Sequence, residues 1–107
     1  MTFFEEQLKQ GIFQICYCEK CNNVLWPPRE ICHICHKKTM WKESMNKGTI
    51  IEFSKKDSMF FGLIEIDDKI KILGEILSST KPEIGQTVKM AASFQNKPRY
   101  SFIVENN

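Results

Sequence analysis

The chain carries two Cys-x-x-Cys pairs, Cys18-Glu19-Lys20-Cys21 and Cys32-His33-Ile34-Cys35, separated by ten residues. Each pair can turn its two thiolates toward a common point. Two such pairs supply the four soft ligands of a closed tetrahedral site, the usual arrangement of structural zinc. Because four thiolates leave no position for water or substrate, a site of this kind stabilises a fold and does not catalyse a reaction. The spacing therefore predicts a metal-held ribbon.

Two other uses of these cysteines fit the pattern less well. Disulfides are disfavoured by the odd count of five cysteines and by the strained ring that pairing within one Cys-x-x-Cys would close. A thioredoxin-like redox pair should open a helix, and Pro27-Pro28 and the surrounding turn residues allow none. Zinc is favoured over iron, although rubredoxin-like sites use the same four ligands and iron stays open at this point.

Composition limits the classes of function. The chain has 107 residues, of which 42% are hydrophobic and 26% charged, and its formal net charge of +2 is too small to indicate nucleic-acid binding by itself. Its longest apolar run, Met59-Phe60-Phe61-Gly62-Leu63-Ile64, is far shorter than the roughly 20 residues that cross a bilayer. Residues 1–6 lack the basic start and apolar core of an export signal, so we expect a cytoplasmic protein.

The N-terminal segment predicts a short helix. Thr2-Phe3-Phe4-Glu5 fits a capping box, and Gly11 is a natural stop after a helix over residues 3–10. At about two turns this helix is too short to be stable alone, so its apolar residues must pack on another surface. That surface is either the chain's own domain or a partner protein, and Phe4 and Leu8 are candidate partner contacts.

The ribbon is expected to continue from this helix. Residues 12–16 alternate as a strand, and Cys16, which fits neither pair, is interpreted as a small buried hydrophobe. An apolar strand over residues 24–29 is stopped by its two prolines, and Trp26 and Arg29 within it are further candidate partner contacts. His33 and His36 are predicted not to bind the metal, because the cysteine pair already fills that half of the ligand set.

From Gly48 onward the pattern changes to five strand-like runs. Each is apolar on one face, as in the third run, where Ile70, Ile72, Gly74 and Ile76 share a face. Five such strands can bury that face by closing into an OB-fold-like barrel, and glycines within strands, such as Gly62, allow the necessary bending. The predicted fold is mostly β, with a helix at residues 1–11, a zinc ribbon at 12–45 and a barrel at 46–107.

No catalytic set is evident in the sequence. Its two histidines both lie beside the metal pairs, and no serine, histidine and aspartate form a recognisable arrangement. Single-stranded nucleic-acid binding is the alternative function, because OB barrels often bind single strands. Against it, the outward-facing positions of the strands are basic without exposed aromatics for stacking, except that Phe60 or Phe61 must face outward by alternation. These basic residues are Lys69, Lys71, Lys89 and Arg99.

Several features together resemble the acyl-CoA-associated family called domain of unknown function thirty-five, and they cover nearly the whole chain. They are the aromatic helix ending in glycine (Phe3-Phe4 to Gly11), Cys18-x-x-Cys21, Pro27-Pro28-Arg29, Cys32-x-x-Cys35, Trp41, and Gly48 before the first barrel strand. The family joins a rubredoxin-like zinc ribbon to an OB-fold.

The resemblance implies a non-catalytic scaffold for a thiolase-like enzyme. In archaea such proteins are associated with acetoacetyl-CoA thiolase and hydroxymethylglutaryl-CoA synthase, which they bridge, and they can help to hold the pantetheine arm of coenzyme A. The implied metal ligands are Cys18, Cys21, Cys32 and Cys35. Arg29 then either pairs with a carboxylate or a CoA phosphate, or is a solvated or locally paired surface residue.

Overall fold

The structure is a computed structural model that describes residues 2–67 and 70–105. Asp68 and Lys69 lie outside the described residues. Within these two ranges, one helix and eight strands follow one another: α1 (Phe3–Lys9), β1 (Gln14–Cys18), β2 (Asn23–Leu25), β3 (Met40–Glu43), β4 (Lys47–Lys56), β5 (Met59–Ile66), β6 (Ile70–Leu77), β7 (Thr87–Phe94) and β8 (Pro98–Val104). The predicted fold class, mostly β with one short N-terminal helix, is confirmed. Within the described ranges, no helix is long and apolar enough to span a bilayer.

The helix begins and ends as the sequence predicts. The Glu5 N–H donates to the Thr2 hydroxyl at 3.2 Å, and the Glu5 carboxylate accepts from the Thr2 N–H at 3.1 Å, which completes the capping box. Gly11 has a φ of +79°, and the N–H groups of Gly11 and Ile12 donate to the carbonyls of Leu8 and Gln7. These two bonds form a Schellman motif that ends the helix.

The ribbon sheet has the strand order β2-β1-β3, with antiparallel pairing on both sides of β1. The first strand lies two residues later than the predicted 12–16. Ile12 cannot join it because its N–H is bonded to the end of the helix. Cys16 on β1 pairs with Leu25 on one side and Trp41 on the other, and is buried as predicted.

Strands β4 to β8 close into a barrel with the order β4-β5-β6-β8-β7. The third and fifth barrel strands, β6 and β8, are parallel, and the other neighbouring pairs are antiparallel. This is the five-stranded closure expected of an OB-fold. A β-bulge between Ile50 and Glu52 shifts the register of β4, so Ile50 and Phe53 both pack against the core although they are three residues apart.

The predicted inward face of β6 is confirmed. Ile70, Ile72 and Ile76 are buried on β6, where burial alternates along the strand as in a sheet with one covered face. Gly62 lies opposite Gly74, and neither has room for a side chain. A Cβ on Gly62 would lie 2.6 Å from the Glu52 carbonyl oxygen, and one on Gly74 would lie 2.6 Å from the Phe102 ring.

The helix, the ribbon and the barrel share one hydrophobic core. Phe4, Leu8 and Phe13 belong to the same buried cluster as the inward residues of the barrel. Leu8 and Phe13 are fully buried, and Phe4 retains 8% of its surface. The helix therefore docks on its own chain, the first of the two alternatives. The expectation that Leu8 contacts a partner is wrong for this conformation, because Leu8 has no exposed surface.

Candidate metal centre

The four predicted cysteines come together at one end of the ribbon. Cys18 closes β1, Cys21 lies in the following turn, and Cys32 and Cys35 occupy a second turn. An isolated bridge between Ile31 and Lys38 closes the base of this second turn. The four sulfur atoms all lie within 4.8 Å of one another.

Their spacing fits a tetrahedral metal ion. The Sγ atoms of Cys18 and Cys35 are 3.5 Å apart, and those of Cys21 and Cys32 are 3.9 Å apart. Four sulfurs placed about 2.3 Å from a central zinc ion would be about 3.8 Å from one another. Both distances are much longer than a disulfide bond of about 2.05 Å. The four cysteines can therefore hold a metal ion, and their geometry is not that of disulfides.

In each turn a backbone N–H donates to the sulfur of the first cysteine, from the third residue after it in the first turn and from the second residue after it in the second turn. The Cys21 N–H donates to the Cys18 sulfur, and the Ile34 N–H donates to the Cys32 sulfur, each at 3.4 Å. The residue after each turn, Asn22 or His36, has a positive φ of 50° or 61°. Asn and His are among the non-glycine residues that adopt this conformation most readily. The repeated conformation aims both pairs of thiols at one point.

The thiols differ in how readily they lose a proton. The pKa of Cys32 falls to about 6, chiefly because the backbone N–H groups of Cys35 and Ile34 stabilise its thiolate. The pKa of Cys21 rises to about 12, first because burial disfavours its charged form and then because of its contacts with neighbouring thiols. Four adjacent thiolates repel one another unless a cation lies among them, so metal binding and deprotonation are coupled.

The histidines and the fifth cysteine lie outside this cluster. The potential ligand group contains the four cysteines alone among the described residues, and both His33 and His36 are exposed. Cys16 is 1% exposed, and its thiol donates to the Arg29 carbonyl at 3.0 Å. Cys16 therefore stabilises the loop between the two turns and is not a fifth ligand.

The remaining candidate partner contacts differ in exposure. Trp26 is half-buried, with its ring centroid 5.6 Å from that of Phe13 and 6.4 Å from that of Tyr100, so it joins the ribbon to the barrel. Arg29 is exposed, and its carbonyl is fixed by Cys16 and by the hydroxyl of Thr39.

Thr39 is a residue that the sequence analysis missed. It is 4% exposed, and both its hydroxyl and its N–H donate to the Glu30 carbonyl, at 3.1 and 3.0 Å. These bonds hold the loop at residues 29–30 against the ribbon. A threonine that follows two lysines gives no signal of this role in the sequence.

Comparison with known proteins identifies structures that have a similar fold. No family model matches the chain, and no curated protein matches its sequence. A chain of the Ltp2-ChsH2(DUF35) aldolase has a similar structure, with a TM-score of 0.76 and 18% identity over 95% of this chain and 91% of that one. A DUF35-family protein of unknown function from Sulfolobus solfataricus matches with a TM-score of 0.67 and 21% identity, over 95% of this chain and 82% of the other. The resemblance found in the sequence is thus confirmed in three dimensions, and this chain has the fold of DUF35 proteins.

Proposed function

We propose that this chain is a non-catalytic accessory subunit of a thiolase-like acyl-CoA enzyme complex. The observation that carries the proposal is the similarity, over 95% of the chain, to a chain of the Ltp2-ChsH2(DUF35) aldolase, whose name joins a DUF35 component to an aldolase. The closed set of four sulfur ligands supports the same role, because it offers no position at which a substrate could bind the metal.

In this role the cysteine cluster is a structural zinc site with Cys18, Cys21, Cys32 and Cys35 as its ligands. When bound, zinc would neutralise the crowded thiolates and tie β1 to the loop before β3. We propose the division of the chain into a helix at residues 1–11, a ribbon at 12–45 and a barrel at 46–107. The change of sheet between Glu43 and Lys47 supports the second boundary.

The enzymes that we propose as partners are acetoacetyl-CoA thiolase and hydroxymethylglutaryl-CoA synthase, and the chain would help to hold acyl-CoA between them. Arg29 is the partner contact best supported by the structure. Its backbone is fixed by two hydrogen bonds while its side chain is exposed, so its guanidinium can pair with a carboxylate or a phosphate without reordering the loop. Trp26 would contribute its exposed edge, and Phe4 a smaller one.

Single-stranded nucleic-acid binding has less support. Such binding uses successive aromatic side chains on which bases stack. Among the described residues, the exposed aromatic side chains are Phe3 on the helix and Phe61 on β5. They lie on different elements, so the barrel presents one exposed aromatic ring and no row of them.

Purification of the tagged chain from its source cell tests the proposal. We expect a thiolase-fold enzyme to co-elute in a fixed ratio, and CoA to be detected by mass spectrometry in that complex. Arg29→Glu should reduce the co-eluting enzyme. Lys81→Glu, which makes the same charge change at an exposed residue outside the ribbon, should not. Co-eluting nucleic acid with steep salt dependence, in place of an enzyme, would overturn the proposal.

A further inference from the structure

The outer surface of the barrel carries a groove that the proposed function does not use. It crosses four neighbouring strands and has a volume of about 740 Å³. Its floor follows one row of directly paired residues. From β5 to β7 this row is Phe61, Glu75, Ser101 and Ala91. We call this surface the barrel groove.

The two sides of the barrel groove differ in size. On β5 and β6 its side chains are large and apolar: Met59, Phe61 and Leu73 are exposed by 42%, 38% and 72%. On β7 and β8 the floor is formed by small residues, Ala91, Ser93 and Ser101, and the larger Arg99 and Tyr100 line the groove beside them. One side of the barrel groove is therefore raised and the other is recessed.

The charges divide in the same way. Glu75 lies on the β5–β6 side, and Arg99 lies on the β7–β8 side, two residues before Ser101 on the same face of its strand. The raised apolar side thus carries an acid, and the recessed side carries a base. Each side is complementary to the other in both shape and charge.

We propose that the barrel groove is the interface of a homodimer. A twofold axis through its centre would place β5 and β6 of one copy over β7 and β8 of the second. Leu73 and Phe61 then fill the recess at Ala91 and Ser101, and Glu75 pairs with the second copy's Arg99. A twofold interface repeats each contact, so both recesses are filled and two ion pairs form.

The proposal goes beyond the accessory role and does not depend on it. The apolar surface continues past the barrel groove to Leu77 and Ile103, which are directly paired and 43% and 48% exposed. Contiguous exposed apolar surface of this kind is more typical of an interaction site than of a sheet that only faces solvent. Self-complementarity identifies a second copy of this chain as its occupant, and a dimer would bring two partner enzymes together.

Sedimentation of the purified, metal-loaded chain over a range of concentrations tests the dimer directly. We expect a concentration-dependent dimer, and Leu73→Glu should raise its dissociation constant by about tenfold or more, because the side chain would bring a charge into the apolar contact. Ile84→Glu is the matched control, since Ile84 is 67% exposed and lies outside the barrel groove. It should leave the dissociation constant unchanged.

Exchanging the charges at Glu75 and Arg99 tests the proposed ion pair between the two copies. Arg99→Glu leaves acids at both charged positions, and Glu75→Arg leaves bases at both, so each variant alone should dimerise about tenfold or more weakly than the unaltered chain. Mixed together, the two should form a heterodimer. Within one chain these residues are diagonal neighbours, and only a contact between copies makes the mixture associate better than its components.

Far-UV circular dichroism would verify that each variant is folded. A chain that remains monomeric at every concentration would overturn the proposal. So would a dimer that Leu73→Glu and Ile84→Glu weaken equally, or a mixture that associates no better than either charge variant alone.

Discussion

The ring of Phe13 lies 5.6 Å from the indole of Trp26 and 5.7 Å from the ring of Tyr100. Phe13 belongs to the link between the helix and β1, Trp26 follows β2, and Tyr100 is on the barrel strand β8. One fully buried side chain thus touches both the ribbon and the barrel. The packing of these rings, as well as any metal, fixes the ribbon on the barrel.

Truncation of Phe13 should destabilise the whole chain. We expect Phe13→Ala to reduce the free energy of unfolding by about 3–5 kcal/mol, because the buried ring leaves a cavity in the shared core. Urea unfolding followed by circular dichroism measures the change. Phe3→Ala, which removes a ring that is 45% exposed and lies outside the barrel groove, should cost much less. Equal losses for the two variants would show that Phe13 is not part of a common core.

Metal content should distinguish the four clustered cysteines from the fifth, Cys16. Cys32→Ser should lose the metal and unfold the ribbon, because structural zinc contributes on the order of 10 kcal/mol to the folding of a small domain. Cys16→Ser should keep one ion per chain, since its sulfur bonds to a carbonyl and lies outside the cluster. Elemental analysis of both purified variants would test this, and would also identify zinc or iron. A Cys32→Ser chain that stays folded with metal bound would contradict the ligand assignment.

The local features were predictable from the sequence because each has a short-range cause. The cysteine spacing gave the candidate metal site, and the capping box and Gly11 gave the helix. The inward face of β6 followed from Ile70, Ile72 and Ile76, because period-two alternation follows directly from strand geometry.

The features that depend on distant parts of the chain were not predictable. The bulge at Ile50 changes which residues of β4 face inward, and the run of apolar residues at Ile50, Ile51 and Phe53 breaks alternation without saying where the extra residue lies. Leu8 fits a partner surface as well as its own core, so sequence alone could not decide between them. The barrel groove requires the strand order β5-β6-β8-β7, which brings Phe61 and Ala91 into one row.

The paired glycines of the barrel should not tolerate a side chain. Gly62→Ala would place a methyl group 2.6 Å from both the Glu52 carbonyl oxygen and the Ile76 side chain. Since the carbonyl belongs to the neighbouring strand, relief requires a backbone shift. We expect a loss of about 1–3 kcal/mol in urea unfolding. Ser54→Ala on the same pair of strands is the control, because Ser54 is exposed and the change adds no volume. If Gly62→Ala unfolds at the same midpoint as the unaltered chain, the strands are not packed as closely as described.

Burial of Tyr100 should make the chain less stable in alkali. Burial raises the pKa of its phenol from 10.0 to about 12, so the folded state favours the neutral form. Well below pH 10 the phenol is neutral in both states, and its contribution to stability is fully present. Between pH 10 and about 12 the unfolded chain ionises first, so the contribution is lost progressively as the pH rises.

The measurement is the urea midpoint at about pH 9 and about pH 11 for the unaltered chain and for Tyr100→Phe, which cannot ionise. Other groups titrate equally in both proteins, so the midpoint of the unaltered chain should fall further than that of the variant. Parallel losses in the two proteins would show that the phenol is not desolvated by folding.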